Sequence, residues 1–193
     1  MEPDPDPASE QSGVAFDTRS KTLLERHHRT RSLLRQYNQS ASDDQANRFE
    51  LLGNLLGTRG PGVWVEPPFY CDYGDNIHLG TGVFLNFNCV FLDGDRIEIG
   101  AGTLLGPSVQ IYATSHPLRS EDRIYDRDGV PGYHTTADPV KIGRNVWIGG
   151  GAIVLPGVSI GDGTTIGAGS VVTKSVPAGV FAAGNPCQVL RTL

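Results

Sequence analysis

The sequence is short of the features that define several common protein classes. Its three cysteines, Cys71, Cys89 and Cys187, are odd in number and scattered, and no C-x-x-C pair occurs. Neither a disulfide framework nor a cysteine zinc site is indicated. No apolar run approaches the roughly 18 residues needed to span a membrane. Positive charge is not in excess, because the formal net charge is -5, and this argues against a nucleic-acid or anionic-membrane surface. A signal peptide starts basic and turns apolar, whereas residues 1–13 are acidic and rich in proline. That stretch reads as a disordered tail, and these absences together give a cytoplasmic address as the expectation.

What the sequence does have is glycine, 25 residues of 193, and a period. Every sixth residue from Ile142 is β-branched and apolar: Ile142, Ile148, Val154, Ile160, Ile166, Val172. The residue four further on is small or medium: Val146, Ala152, Val158, Thr164, Ser170, Val176. Helices repeat their buried face every ~3.6 residues and flat strands every ~2. A period of six with recurrent glycine means a short strand and a corner, repeated, which is a parallel β-solenoid. Two side chains per repeat point inward, and glycine accepts the corner dihedrals that a Cβ resists. The competing arrangement, ordinary hairpins in a sandwich, does not produce such a sustained phase.

The organisation follows from this period. Residues 14–62 are helical in pattern. Leu23, Leu24, His27, Leu34 and Tyr37 share one face of a first helix. Ser42 with Gln45 suggests a capping box before a second stripe of Ala46, Phe49, Leu52 and Leu56. Such helices lack a core of their own and are expected to cap the end or edge of the coil. The coil is expected over 63–177, with its phase slipping at Asp93-Gly94-Asp95 and an insert at 112–139 where the period vanishes. Long inserts of this kind inside a compact fold are often functional. Residues 178–193 read as a short C-terminal tail.

Several stretches carry a more specific likeness: Glu66-Pro67-Pro68-Phe69, Cys71-Asp72-Tyr73-Gly74, Asn86-Phe87-Asn88, Thr114-Ser115-His116-Pro117-Leu118, Asn145 to Gly151 and Gly167 to Lys174. With the hexapeptide ladder, they resemble the maltose/galactoside O-acetyltransferase family. The resemblance implies a mainly β fold, a left-handed parallel β-helix with a helical N-terminal segment and a protruding loop. It also implies a homotrimer with sites between neighbouring subunits, acetyl-CoA as co-substrate and no metal, and a sugar hydroxyl as acceptor.

On this resemblance His116 is the catalytic base. Transfer to an alcohol needs a group that removes its proton, and histidine titrates near neutrality. From the residues alone, His116 reads equally well as a surface-loop histidine. Direct attack on the thioester is expected, since no Ser-His-Asp set is evident, with a backbone N–H near Gly149 or Gly150 as oxyanion donor. Asn86, Asp93, Asp72 and Asp17 match acceptor-binding positions, although Asn and Asp also populate turns and Asp17 also suits helix N-capping. Gly150, Ala168, Thr173, Lys174 and Arg191 match positions along the CoA groove, with Lys174 a point charge for phosphate. Gln188 stands where relatives often carry Arg, and His27 stands near an acceptor-side Arg. Two other readings stay open: a non-sugar acceptor such as an antibiotic, and a γ-carbonic-anhydrase-like zinc enzyme using His78, His116 and His134.

Overall fold

The computed structural model describes residues 16–127 and 129–193; the expected tail over 1–13 and Asp128 lie outside the described residues. The inward positions decide the architecture. Ile142, Ile148, Val154, Ile160, Ile166 and Val172 are all buried, as are the smaller residues four places on. Ile142 pairs with Ile160, Ile148 with Ile166 and Val154 with Val172, all in parallel. One turn of the coil is therefore three hexapeptides, and each hexapeptide supplies one side of a triangular prism. The hairpin alternative fails because these ladders run parallel.

Three parallel sheets form the prism. The first holds Thr58–Arg59, Ile77–Leu79, Ile97–Ile99, Val140–Ile142 and Ser159–Ile160. The second holds Trp64–Val65, Phe84–Leu85, Leu104–Leu105, Trp147–Ile148, Thr165–Ile166 and Val180–Ala183. The third holds Phe69–Cys71, Cys89–Leu92, Gln110–Tyr112, Ile153–Val154 and Val171–Val172. The coil thus begins at Thr58, earlier than the period indicated. Its second sheet also runs beyond 177: Val180–Ala183 adds a last parallel strand, and Gln188–Thr192 turns back antiparallel against it. Inside, Phe69 and Phe91 of neighbouring turns meet edge to face at 5.3 Å, a contact worth about 0.5–1.5 kcal/mol beyond area burial.

The N-terminal helices α1 (Lys21–Asn38) and α2 (Gln45–Leu55) cover the first turn. Helix α1 buries Leu23, Thr30, Leu34 and Tyr37, while Leu24 is exposed. It docks on backbone groups of the coil's first turn. Tyr37 Oη donates to Val65 O at 2.6 Å, Thr30 Oγ1 to Tyr73 O at 2.6 Å, and Asn38 exchanges two bonds with the Phe69 backbone, each 2.9 Å. Burial pushes the Tyr37 phenol up to about 12. Asp44, not Ser42, caps α2 by accepting the Asn47 N–H at 3.2 Å; Gln45 instead donates back to Ser42 O at 2.8 Å. Phe49 is exposed, with the Arg59 guanidinium 3.2 Å from its ring centre.

The insert is not structureless. Val130–Ala137 is a long strand that pairs antiparallel with Ile124–Arg127 and, through Thr136 and Ala137, with Thr114–Ser115. The first described strand, Phe16–Asp17, joins it from the other end of the chain, with Phe16 opposite Thr135 and Asp17 opposite His134. The result is an arm of antiparallel sheet projecting from one edge of the prism. Among the described residues, no helix is long and apolar enough to cross a membrane.

Candidate active site

The arm is anchored where the third sheet ends, which is here called its trailing edge. After Tyr112 the chain leaves the coil, and Ala113 N–H still bonds Leu92 O at 3.0 Å. Thr114 Oγ1 then does double service: it donates to Leu92 O and accepts from Gly94 N–H, both at 3.0 Å. Two residues on, His116 is exposed, and its Nδ1 lies 2.8 Å from His134 O. A carbonyl oxygen can only accept, so Nδ1 carries a proton, and in the neutral ring Nε2 presents a lone pair. Arg123 braces the following turn, its Nε bonding Pro117 O at 2.8 Å and its Nη2 bonding Leu118 O at 2.6 Å. The His134 ring in turn lies against Tyr125, 4.7 Å between centres.

Asp17 reaches this region through the strand pairing opposite His134. Its Oδ1 accepts the Arg19 N–H at 2.9 Å. The helix cap is Ser20, which accepts from Leu23 N–H at 3.4 Å, so N-capping is not the role of Asp17.

Asp72 and Asp93 occupy the same trailing edge, one turn apart. Asp72 is half-buried, and Arg31 Nη2 stands 3.6 Å from its Oδ1. Burial raises the Asp72 carboxyl, while Arg31 and His27 pull it down. His27 is lowered by burial and then by Arg31, with Asp72 opposing. Arg31 also donates to Cys71 O at 3.0 Å, and its Nε is 3.4 Å from His27 Nε2. Nearby, Arg26 grips Asp75 with bonds of 3.1 and 2.5 Å and lies 4.8 Å over the Tyr73 ring. Arg26 and Arg31 lie outside the residues expected from sequence, and Thr114 enters only within the motif Thr114 to Leu118. Arg26 and Thr30 interrupt the apolar stripe of α1 between Leu23 and Leu34, which was the available signal.

Asp93, expected among the acceptor-binding residues, has no exposed surface in the chain. Its Oδ1 accepts the N–H groups of Asp72 and Tyr73, both at 2.9 Å, and its Oδ2 accepts Gly74 N–H at 2.6 Å. Burial pushes its carboxyl up to about 7, Asp72 adds to the rise, and the three N–H donors oppose it.

The opposite, leading edge of the third sheet carries a column of corners. Asn88 N–H bonds Pro68 O at 2.8 Å, Ser108 N–H bonds Phe87 O at 2.9 Å, Gly151 N–H bonds Pro107 O at 2.9 Å and Gly169 N–H bonds Gly150 O at 3.0 Å. Asn86, Gly150 and Ala168 stand in this column. Asn86 Oδ1 accepts the Phe87 N–H at 2.9 Å. Gly149 N–H is already spent on Ile166 O at 2.8 Å, which removes it as an oxyanion donor and leaves Gly150 of the two expected. Thr173 and Lys174 follow Val171–Val172 and so return to the trailing edge, both exposed. Arg191 sits on the last strand of the second sheet, 5.8 Å over the Phe181 ring, and Gln188 pairs with Ala183.

Apart from Asp17 on the arm and Arg191 on the second sheet, the expected site residues fall into two sets on two edges of the third sheet. His116, Asp72, Asp93, Thr173 and Lys174 share the trailing edge; Asn86, Gly150 and Ala168 share the leading edge. The histidine set for zinc is not assembled in the chain: His78 faces outward from the first sheet, 3.0 Å from Thr58 Oγ1, and among the described residues no three His, Cys, Asp or Glu gather as metal ligands.

This architecture has close counterparts. Residues 139–174 match the family model described as bacterial transferase hexapeptide (six repeats), and residues 11–60 match the maltose acetyltransferase hexapeptide capping motif. The chain is 38% identical to the galactoside O-acetyltransferase of Escherichia coli (strain K12), over 95% of this chain and 87% of that protein. The chain belongs to the maltose/galactoside O-acetyltransferase family. A solved maltose O-acetyltransferase from Clostridium difficile 630 superposes with a TM-score of 0.86 at 41% identity, covering 94% of this chain and 93% of that one. A galactoside acetyltransferase solved in complex with coenzyme A gives 0.85 at 39% identity, covering 93% and 86%. This acyltransferase family's capping motif coincides with α1, α2 and the first coil strand, the elements that close the first turn here.

Proposed function

We propose that this enzyme moves an acetyl group from acetyl-CoA to a hydroxyl of a sugar, with His116 as general base, in a homotrimer of the cytoplasm. The observation that carries the reading is the bond from His116 Nδ1 to His134 O. It fixes the tautomer in which Nε2 can take a proton from an alcohol. The acceptor oxygen attacks the thioester carbon as its proton passes to Nε2. The tetrahedral intermediate then collapses, the C–S bond breaks, and the imidazolium returns the proton to the departing thiolate. Gly150 N–H is the donor we assign to the oxyanion. The sugar acceptor and the CoA donor rest on the relatives, a galactoside O-acetyltransferase and a CoA-bound structure, and the cytoplasmic address rests on the sequence expectation alone.

Two features support assembly. One is the separation of Asn86, Gly150 and Ala168 from His116, Thr173 and Lys174 across a whole sheet; apposing the leading edge of one copy to the trailing edge of another would unite them. The other is the outer surface of the second sheet, where Trp64, Phe84, Leu104 and Trp147 stack in register. Trp64, Leu104 and Trp147 are 40%, 47% and 56% exposed, an apolar row of the kind that marks an interaction face. The first sheet presents Thr58, His78, Glu98, Lys141 and Ser159 instead. In the complete site, Asp72, Asn86 and Asp17 would hold acceptor hydroxyls, and Gly150, Ala168, Thr173, Lys174 and Arg191 would line the CoA groove.

The test is a CoA-release assay against a panel of sugars and aminoglycoside or phenicol antibiotics. Initial rates varied in both substrates should give intersecting lines, and at least one sugar should be turned over. Parallel lines would refute direct transfer, and turnover of antibiotics alone would refute a sugar acceptor.

A further inference from the structure

We infer that Asp93 is a positioning residue that sets the acceptor side of the site without touching the acceptor. The inference rests on the acetyltransferase reading above and departs from the acceptor-binding role that the family resemblance implies for this position.

The carboxyl is buried from solvent and both its oxygens are occupied by backbone. Three successive N–H groups, from Asp72, Tyr73 and Gly74, converge on it. This is the arrangement by which a turn wraps an anion, with the carboxyl here supplied by the next turn of the coil. The Asp93 carbonyl accepts from Asn76 Nδ2 at 2.7 Å, so the same residue also holds the far end of the turn.

Two other elements hang on this turn. On one side, α1 docks to it through Thr30 on Tyr73 O, Arg31 on Cys71 O and Arg26 on Asp75. On the other side, the residue after Asp93 is tied to the arm, because Gly94 N–H bonds Thr114 Oγ1, two residues before His116. Asp93 and Gly94 thus stand between Asp72 and His116 and bond to both neighbourhoods. Asp72 is set by the Asp93 carboxyl, and the root of His116 is set by Gly94 and Thr114.

This arrangement separates the consequences of two substitutions. Asp93→Asn keeps the shape but offers one accepting oxygen where the turn needs two. The turn should loosen and Asp72 should lose its aim. The KM for the acceptor should rise about tenfold or more, with kcat and the KM for acetyl-CoA within about threefold of wild type. Thr114→Val leaves the turn alone and cuts the tie to the arm, so kcat should fall at least about tenfold with acceptor KM little changed.

Three measurements test the inference. Amide hydrogen exchange of the unliganded protein should show Asp72, Tyr73 and Gly74 exchanging at least about tenfold faster in Asp93→Asn; unchanged protection overturns it. A double-mutant cycle with Asp72→Asn should show that Asp93→Asn adds nothing further to acceptor KM once Asp72 is gone; an additive loss means that Asp93 binds the acceptor itself and overturns it. The Asp93→Asn loss should disappear only for the deoxy acceptor that also escapes the Asp72→Asn loss; a deoxy acceptor that escapes the Asp93→Asn loss but not the Asp72→Asn loss also overturns it. If Asp93→Asn does not fold, Thr114→Val decides, and wild-type kcat in that variant overturns the linkage. Failure of the wild-type protein to acetylate any acceptor would defeat the functional reading alone, since the exchange arm needs no turnover.

Discussion

Two glycines at one corner of the leading edge should respond very differently to alanine. Gly151 has φ +69°, and a Cβ there would meet nothing within 4 Å. Its cost is the left-handed backbone, about 1–2 kcal/mol for a residue with a side chain. Gly149 has an ordinary φ but no room: its Cβ would sit 2.5 Å from Ala168 N, 2.8 Å from Ala168 Cα and 3.0 Å from Gly167 C. Those atoms are backbone of the next turn and cannot swing aside. They are pinned by Gly149 N–H on Ile166 O and Gly169 N–H on Gly150 O. The turns would have to part locally, and overpacking of this kind costs about 1–3 kcal/mol and occasionally more; a clash with bonded backbone belongs at the upper end, about 3 kcal/mol. At about 2–4 °C per kcal/mol for a domain of this size, Gly149→Ala should melt about 6–12 °C below wild type and Gly151→Ala about 2–8 °C below. Scanning calorimetry of both variants and of Gly151→Asn, which tolerates the left-handed region better, makes the comparison. Gly149→Ala melting within about 2 °C of wild type, or above Gly151→Ala, would refute the claim that the spacing of turns leaves no room for a methyl group at this corner.

Three other outcomes are expected. His116→Ala should keep the wild-type melting temperature, since the side chain is exposed, and lose about 100- to 10,000-fold in kcat; near wild-type turnover would remove His116 from the mechanism. Asp93 has a second signature in stability. With its carboxyl near 7 in the fold against 3.8 in the unfolded chain, the native state holds the extra proton, so its contribution is full below about pH 4 and lost by about pH 7. The span is at most about 4 kcal/mol. Urea midpoints from pH 4 to 8 should slope downward in wild type and flatten in Asp93→Asn, and identical slopes would contradict the assignment. Trp147→Glu places a charge in the apolar row of the second sheet and should yield a folded monomer by light scattering; an intact trimer would move the interface elsewhere.

The coil was legible because its signal is redundant. Each of the six large positions from Ile142 to Val172 says the same thing, and a parallel ladder forces them into register. The insert was legible only as an interruption. Its antiparallel arm depends on Phe16–Asp17, more than a hundred residues away in sequence, and no local pattern announces such a pairing. His116 could be chosen from its surrounding motif, but its tautomer could not, because the partner is a backbone carbonyl and carbonyls leave no trace in residue identity. Asp93 matched an acceptor-binding position by motif, and only the stacking of neighbouring turns shows that both its oxygens accept backbone N–H groups. Arg31 was missed because a basic residue on a helix reads as solvent-facing until the turn it reaches is known.

The pairing of Phe16–Asp17 with the arm has a practical consequence. The start of the described chain pairs with His134, the residue whose carbonyl accepts from His116 Nδ1. If His116 is the base proposed above, the way a purification handle is joined at the N-terminus acts close to the reaction centre. A handle after Leu193 is not neutral either, since Leu193 directly follows the strand Gln188–Thr192 that carries Arg191.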